Sequence, residues 1–400
     1  MKILHFADIH ARDKDLEEIR RCCTAIIEGA INEKPDLIVN AGDTFDRQDV
    51  RLDSESARYM LEFHEQLSNI ATLAVVLGTP SHDGKASLAL EYSSVGHNVV
   101  VCSTPEQLLF SGGELFRAED WPRHVSAVQA VVSMIPQPTK QFFQGTGGIQ
   151  SSDAQIGEAM TAIFAGLSPQ PQKYNCPHIL VGHFQVGGAF VSSGQQLTGR
   201  DIEVSRDQLD LAKADIACLG HIHLQQQIGD NIFYSGSIYR KDFGEMEPKG
   251  FYIHELGRPS RFILTPTRKL LKIEADFTKP DSPIQGAEHV IEAFPEPVIE
   301  NAHVRCQFRL WLDEKAMLDQ NHIEELVLGL GAETVEFRLF YTPRETVRSA
   351  NVLTLSRLRD KVMELGTLRQ ESISDAILEK ADALEVWDRD QVLRHINDVC

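Results

Sequence analysis

Short all-apolar runs alternate with stretches of helical spacing along the first two thirds of this chain. Residues 3–7, 36–41 and 71–77 read as buried strands, and residues 99–102, 128–135 and 179–181 extend the series. Between them, Leu16, Ile19, Ala25 and Ile26 place one apolar face on a helix over residues 15–31. Residues 54–67 and 154–167 predict two more helices, and residues 137–153, rich in Gln, Gly, Ser and Thr, predict a mobile loop. Further strands are expected at residues 216–219, 232–234, 250–254 and 261–264. Strand–helix alternation with short links predicts an α/β layered sheet whose strands are mainly parallel.

The pattern changes near Thr265-Pro266-Thr267. Residues 269–276, 304–312 and 334–341 predict strands, with helices at 284–293 and 323–330 between them. This βαβαβ unit can close a core of its own, which puts a boundary near residue 267. From Arg344 onward no strand signal remains. Val352, Leu355, Leu358, Val362 and Leu365 make one amphipathic helix that Gly366 is expected to end, and Ile373, Ile377 and Leu384 suggest another. The expected domains are therefore 1–266, 267–343 and 344–400.

Composition narrows the class. The chain has 400 residues, 42% of them hydrophobic, which suits a soluble globular protein and excludes collagen-like, disordered and disulfide-scaffold classes. No apolar run approaches the ~20 residues a spanning helix needs. The first residues read as a strand rather than a signal peptide. Seven scattered cysteines with no CxxC motif suggest reduced thiols and a cytoplasmic setting. With 39 Lys+Arg against 58 Asp+Glu, the formal charge is −19. That balance argues against a protein gripping nucleic acid through global charge, since duplex binding depends on neutralising phosphates.

The residues that carry chemistry collect where predicted strands end. They are Asp8-Ile9-His10, Gly42-Asp43-Thr44-Phe45-Asp46, Gly78-Thr79-Pro80-Ser81-His82-Asp83, Gly182-His183 and Gly220-His221-Ile222-His223. The carboxyl ends of parallel strands converge on one crevice, so five such loops predict a single site. Carboxylate plus imidazole without thiolate suits Mn, Fe or Zn and disfavours a structural zinc. The ligands outnumber what one ion needs, which points to a pair of ions that clamp an in-line displacement at phosphorus. Asp43 is the natural bridging carboxylate. The glycines are expected to turn the backbone sharply off each strand. Each motif alone is weak; their joint order carries the weight.

That ordered set resembles the calcineurin-like metallophosphoesterase superfamily (D-x-H, G-D-x-x-D, G-N-H-[DE], G-H, G-H-x-H). Within it the chain is similar to SbcD-type nuclease subunits, which repair DNA double-strand breaks with an SbcC-type ATPase. Tyr234-Ser235-Gly236-Ser237 and Phe243-Gly244-Glu245 add to the likeness. The resemblance implies a layered β-sandwich core flanked by helices, a small α+β capping domain facing DNA, and C-terminal helices for the partner's coiled coil. It implies that Asp8, His10 and His223 hold one metal ion, that Asp43 bridges, and that His183 and His221 hold the second. Manganese is the first choice of metal, with Mg or Fe as alternatives. His82 is the expected proton donor to the leaving oxygen, a role its neutral pKa range suits. Asp83 is expected to orient His82 through a hydrogen bond, and Asp46 to stand behind the ligands.

One departure stands out. The family's Asn ligand before the catalytic His is absent, and two extra residues separate Gly78 from His82. Ser81 takes the position before His82 and is assigned as the replacement ligand, with Thr79 as the alternative. The implied partners are DNA, an SbcC-type coiled-coil ATPase and a second copy of the chain, with no membrane. Two rival readings are a phosphodiesterase or phosphatase for small phosphoesters, and a catalytically weakened scaffold subunit of the same complex. His5, His64, His97, His124, His178, His254 and His303 read as structural or solvated. Arg47, Arg51, Lys85, Arg200, Arg240 and Lys241 flank the motifs as possible phosphate contacts.

Overall fold

Alternation along each strand decides the layering. The computed structural model describes all residues except 95, 97, 118–119, 121–126, 141, 144–152, 193–201, 280, 345–351, 353, 370 and 388–400. The first sheet contains β1 (Lys2–Phe6), β2 (Leu37–Asn40), β3 (Thr72–Val76) and β4 (Val99–Cys102), all parallel, and the antiparallel β14 (Gly250–Glu255) and β15 (Arg261–Leu264) beside β1. The second contains β5 (Glu106–Ser111), β6 (Glu114–Arg117), β7 (Ala130–Ile135), β8 (His178–His183), β11 (Ile216–Gly220), β12 (Gln226–Ile228) and β13 (Ile232–Tyr234). Its centre, β7-β8-β11-β13, is parallel. A two-stranded parallel pair joins β9 (Gln185–Val186) to β10 (Glu203–Val204).

Ile3, Leu37 and Val39 of the first sheet pack against Val132, Val181 and Cys218 of the second, forming the inner core. The alternate residues Leu4, Phe6 and Ile38 face the other way. They meet Ile19 and Ile26 of α1 (Leu16–Glu33) and Met60 and Phe63 of α2 (Glu55–Ser68). On the far side, Leu180, Leu219 and Tyr234 pack on Met160 and Phe164 of α3 (Asp153–Leu167). The result is helix, sheet, sheet, helix, as the resemblance implied. The β5–β6 hairpin is not among the expected elements; Gly112 and Gly113, both with positive φ, make its turn.

The chain divides into two compact units. One is Met1–Lys272 with Phe294–Arg305 and Val327–Glu336; the other is Ile273–Ala293 with Cys306–Leu326 and Phe337–Cys400. Three strands, β16 (Lys269–Asp276), β17 (Ala302–Trp311) and β18 (Thr334–Thr342), form a sheet in that order. Near the C-terminus, α4 (Leu358–Arg369) runs through Gly366 instead of ending there. Gly366 is buried, and a Cβ on it would collide with Ile373, so the glycine provides close approach rather than a stop. His97, His124 and Arg200, and most of the expected mobile loop, lie outside the described residues.

His5 and His254 are buried in the inner core. His5 Nδ1 lies 3.3 Å from His254 Nε2, His5 Nε2 meets the Leu219 carbonyl at 3.2 Å, and His254 Nδ1 meets Ser260 Oγ at 2.7 Å. Burial lowers His5 to about 3, against the opposing pull of its bond to Leu219, and holds His254 well below its ordinary value. Both rings are thus neutral bases that the unfolded chain protonates near pH 6.5 and the folded chain does not. Stability from the pair is complete above that pH and is lost as pH falls through it toward the folded value. In chelator, the denaturant midpoint is expected to drop between pH 7 and pH 5, with a shallower slope in His5→Gln. Equal slopes for wild type and variant would show that His5 is not such a group.

Candidate metal centre

The loops leaving β1 and β2 run side by side as an extension of the sheet. Asp8 N donates to the Gly42 carbonyl, His10 N to Asp43 and Ala11 N to Thr44, at 2.8–2.9 Å. Within these loops the backbone adopts conformations that L-residues rarely take. Asp8 (φ 54°), His10 (47°) and Asp43 (51°) are left-handed, and so is His221 (89°) at the end of β11. Such strain persists only where the surrounding structure fixes it, and it collects at functional sites. Gly42 also turns with positive φ (96°), as expected. Gly220 ends its strand without a positive φ and instead gives space, since a Cβ there would strike the Ala41 carbonyl.

The side chains of the motif loops converge in one crevice. Asp8, His10 and His223 bring ligand atoms within 4.8 Å of one another, and Asp8, Asp43 and His183 do the same. All five are buried. His10 Nε2 and His223 Nε2 face each other at 2.9 Å. One Asp43 oxygen, Oδ2, lies 3.3 Å from His183 Nε2 and 3.7 Å from His10 Nε2, and so faces both groups. The His221 ring sits edge-on to His183, centroids 5.3 Å apart, and its backbone N–H donates to Asp8. The rings are aimed by their outer nitrogens: His183 Nδ1–H donates to the Ala41 carbonyl (2.7 Å) and His223 Nδ1–H to Glu245 (2.8 Å). Imidazoles anchored in this way on oxygen, with carboxylates between them and no thiolate, fit a pair of hard-to-borderline dications.

Electrostatics within the crevice are uneven. Burial raises the Asp8 carboxyl. Burial also pushes on Asp43, but the His183 charge and hydrogen bond, with His82 and the Thr79 N–H, hold it below the usual carboxylate range. His183 answers by rising to about 9, its burial outweighed by Asp43 and Asp8. Burial, aided by the neighbouring His183, lowers His221 to about 3, and burial with Lys241 lowers His10.

The third loop departs from the expectation in two places. Ser81 is exposed, and only its carbonyl is engaged, by Gln48 N–H. Thr79 reaches the site instead. Its N–H donates to Asp43 Oδ1 (2.6 Å), and its hydroxyl lies 3.2 Å from Asp43 Oδ2 and 3.4 Å from His183 Nε2. Asp83 does not orient His82. Its buried carboxylate accepts the N–H groups of Gly78 (2.9 Å), Phe45 (3.2 Å) and Thr44 (3.3 Å) and the Ser87 hydroxyl (3.1 Å), tying two ligand loops together. His82 is held by the Asp46 carbonyl, 2.7 Å from Nδ1, with its ring edge-on to His10. The Asp46 carboxylate pairs with Lys241 at 3.0 Å and stands 3.9 Å from His10 Nδ1.

Of the other flanking cations, Arg47 and Arg51 pair with Asp49 and Asp53 on the surface, and Arg240 binds backbone carbonyls. Sequence reasoning misses two functional residues. Glu245 stands out there only as part of a motif, yet it anchors His223, and Lys249, almost wholly buried, neutralises it at 3.0 Å while donating to the His223 carbonyl. Burial would raise Glu245, but His223 and Lys249 bring it to about 2. The Lys241-x₃-Glu245-x₃-Lys249 spacing is the available signal.

Known proteins point the same way. A family model described as Calcineurin-like phosphoesterase matches residues 1–225. The curated D subunit of the nuclease SbcCD from Staphylococcus epidermidis is 27% identical over 297 residues, covering 69% of this chain and 73% of that protein. Its namesake in Staphylococcus saprophyticus is 27% identical over 293 residues, covering 69% and 72%. A solved crystal structure superposes with a TM-score of 0.39 at 14% identity, over 66% of this chain and 98% of that one, too distant to bear on the assignment.

Two substitutions separate the roles in the third loop. Thr79→Val is expected to weaken binding of one Mn²⁺ by about tenfold, an energy typical of one lost polar contact. Ser81→Ala should leave the isothermal titration unchanged, and the reverse result would return Ser81 to the ligand set. Asp83→Ala strands three backbone N–H groups and should cost about 3 kcal/mol or more in chemical denaturation.

Proposed function

This chain belongs to the calcineurin-like phosphoesterase family, and from that premise we propose that it is the nuclease subunit of an SbcCD-like DNA repair and recombination complex, hydrolysing DNA phosphodiesters with two Mn²⁺ ions. The observation that carries the reading is the pair of acid–imidazole groups meeting at Asp8 and Asp43, with His82 beside them. Asp8, His10 and His223 would hold one ion, His183, His221 and Thr79 the other, and Asp43 both. Dications held there would polarise the phosphoryl group and supply a water nucleophile near neutral pH. His82 has its Nδ1–H committed to the Asp46 carbonyl, so Nε2 is the atom that delivers a proton to the leaving oxygen. Glu245 and Lys249 keep the His223 ring turned toward His10.

The curated relatives named as SbcCD subunits support an SbcC-type ATPase as partner. On this reading residues 267–343 act as a DNA-facing capping domain, residues 344–400 engage the ATPase coiled coil, and the protein works as a cytoplasmic homodimer. No helix among the described residues is long and apolar enough to cross a membrane.

The test is a Mn²⁺ nuclease assay on linear duplex and hairpin DNA, with and without an SbcC-type partner. His82→Ala should retain Mn²⁺ by titration and lose at least about 10²-fold in cleavage rate, the usual contribution of a positioned acid. Full activity in that variant would remove His82 from the mechanism. Turnover of a simple phosphodiester with none of DNA would select the small-phosphoester reading. Two bound ions with partner binding but no turnover of either would select the scaffold reading.

A further inference from the structure

We propose that a cavity behind the 77–83 loop receives one unpaired nucleobase of the strand being cut, a reading that rests on the nuclease function above. The loop is a partition. Thr79 faces Asp43 and His183, while Gly78, Pro80 and Asp83 line a cavity of about 180 Å³ on the other side. The opposite wall is the segment after β7, tied to the loop where Gln137 N–H donates to the Leu77 carbonyl at 3.2 Å. That volume holds on the order of ten waters, enough for a ring system. The walls are mainly apolar, with proline faces and Phe142 suited to a flat heterocycle.

Gln137 lines this cavity, is more than nine-tenths buried, and its amide oxygen has no hydrogen-bond partner. A buried, unsatisfied amide costs stability unless something completes it. The ring N–H or exocyclic amine of a base does so, and proteins that take a base out of the stack read its edge in this way. Position agrees with chemistry. The cavity lies beyond the carboxyl ends of β3, β4 and β7, on the strand edge that also carries the metal ligands.

A further constraint comes from depth. Asp8, His10, Asp43 and His183 are all at most 3% exposed. A phosphodiester reaches them only by entering the crevice, and a backbone so displaced pulls its nucleotide out of the duplex stack. The freed base then needs a place. One seated in the cavity would brace Gly78 and Pro80, and with them the loop that presents Thr79 and His82.

The test is a cycle of substrate and protein changes using the full chain in Mn²⁺. Linear duplexes carry an abasic residue at either nucleotide flanking the mapped scissile phosphate. Gln137→Leu removes the amide, and Thr139→Trp fills the cavity from its half-exposed edge. Mn²⁺ titration and the thermal midpoint check the fold of each variant. One abasic position should slow wild-type cleavage about tenfold, the scale of one lost base contact. Each variant should be slowed on intact DNA, with little or no added abasic penalty. An abasic penalty equal in wild type and both variants, or absent in wild type, overturns the cavity while leaving the nuclease reading intact. No DNA cleavage by wild type overturns both.

Discussion

Asp8 and Asp43 are both withdrawn from water and point into one crevice, where two like charges cost several kcal/mol each unless they are compensated. Much of the surrounding structure answers that cost. His183 is drawn to a high proton affinity beside Asp43. Backbone N–H groups of His221 and Thr79 are turned onto the two carboxylates. The loops around them adopt left-handed conformations at Asp8, His10, Asp43 and His221. The dications that such a donor set fits would complete the compensation and present positive charge to a phosphate, although the chain as a whole is strongly acidic.

Around the converging side chains lies a second arrangement that fixes their direction. The Ala41 carbonyl holds His183, Asp46 holds His82, and Glu245 holds His223. Glu245 is itself kept ionised in the interior by His223 and Lys249, and Lys249 also grips the His223 carbonyl. The inner core is stiffened below this level by the His5–His254 pair, whose bond to the Leu219 carbonyl links the first sheet to the strand that delivers His221 and His223. Position in the crevice is therefore set by elements of both sheets.

The layered core was legible because its strands are buried on both faces and read as continuous apolar runs. The residues that converge in the crevice were legible because they stand at strand ends in an unusual order. The third loop was not. Two inserted residues change its path, so the hydroxyl nearest to His82 in sequence points to solvent and the one next to Gly78 reaches Asp43. Asp83 follows His82 in the chain, and sequence cannot say whether a carboxylate turns toward its neighbour or back onto backbone amides of another loop. Gly366 shows the same ambiguity on a helix, where a residue read as a stop serves a close contact.

The Asp83 hub joins the loops after β2 and β3 through three backbone N–H groups and the Ser87 hydroxyl, none of which needs an ion. The protein's own groups therefore tie these two loops together, and an ion bound between them would not have to supply all the entropy of ordering them. In a chain built this way, bound ions would be guests in a finished mould. Exchange of one such dication for another would leave those loops in place. On the nuclease reading, a metal-free copy would keep the geometry of these loops but lose the positive charge that meets a phosphate.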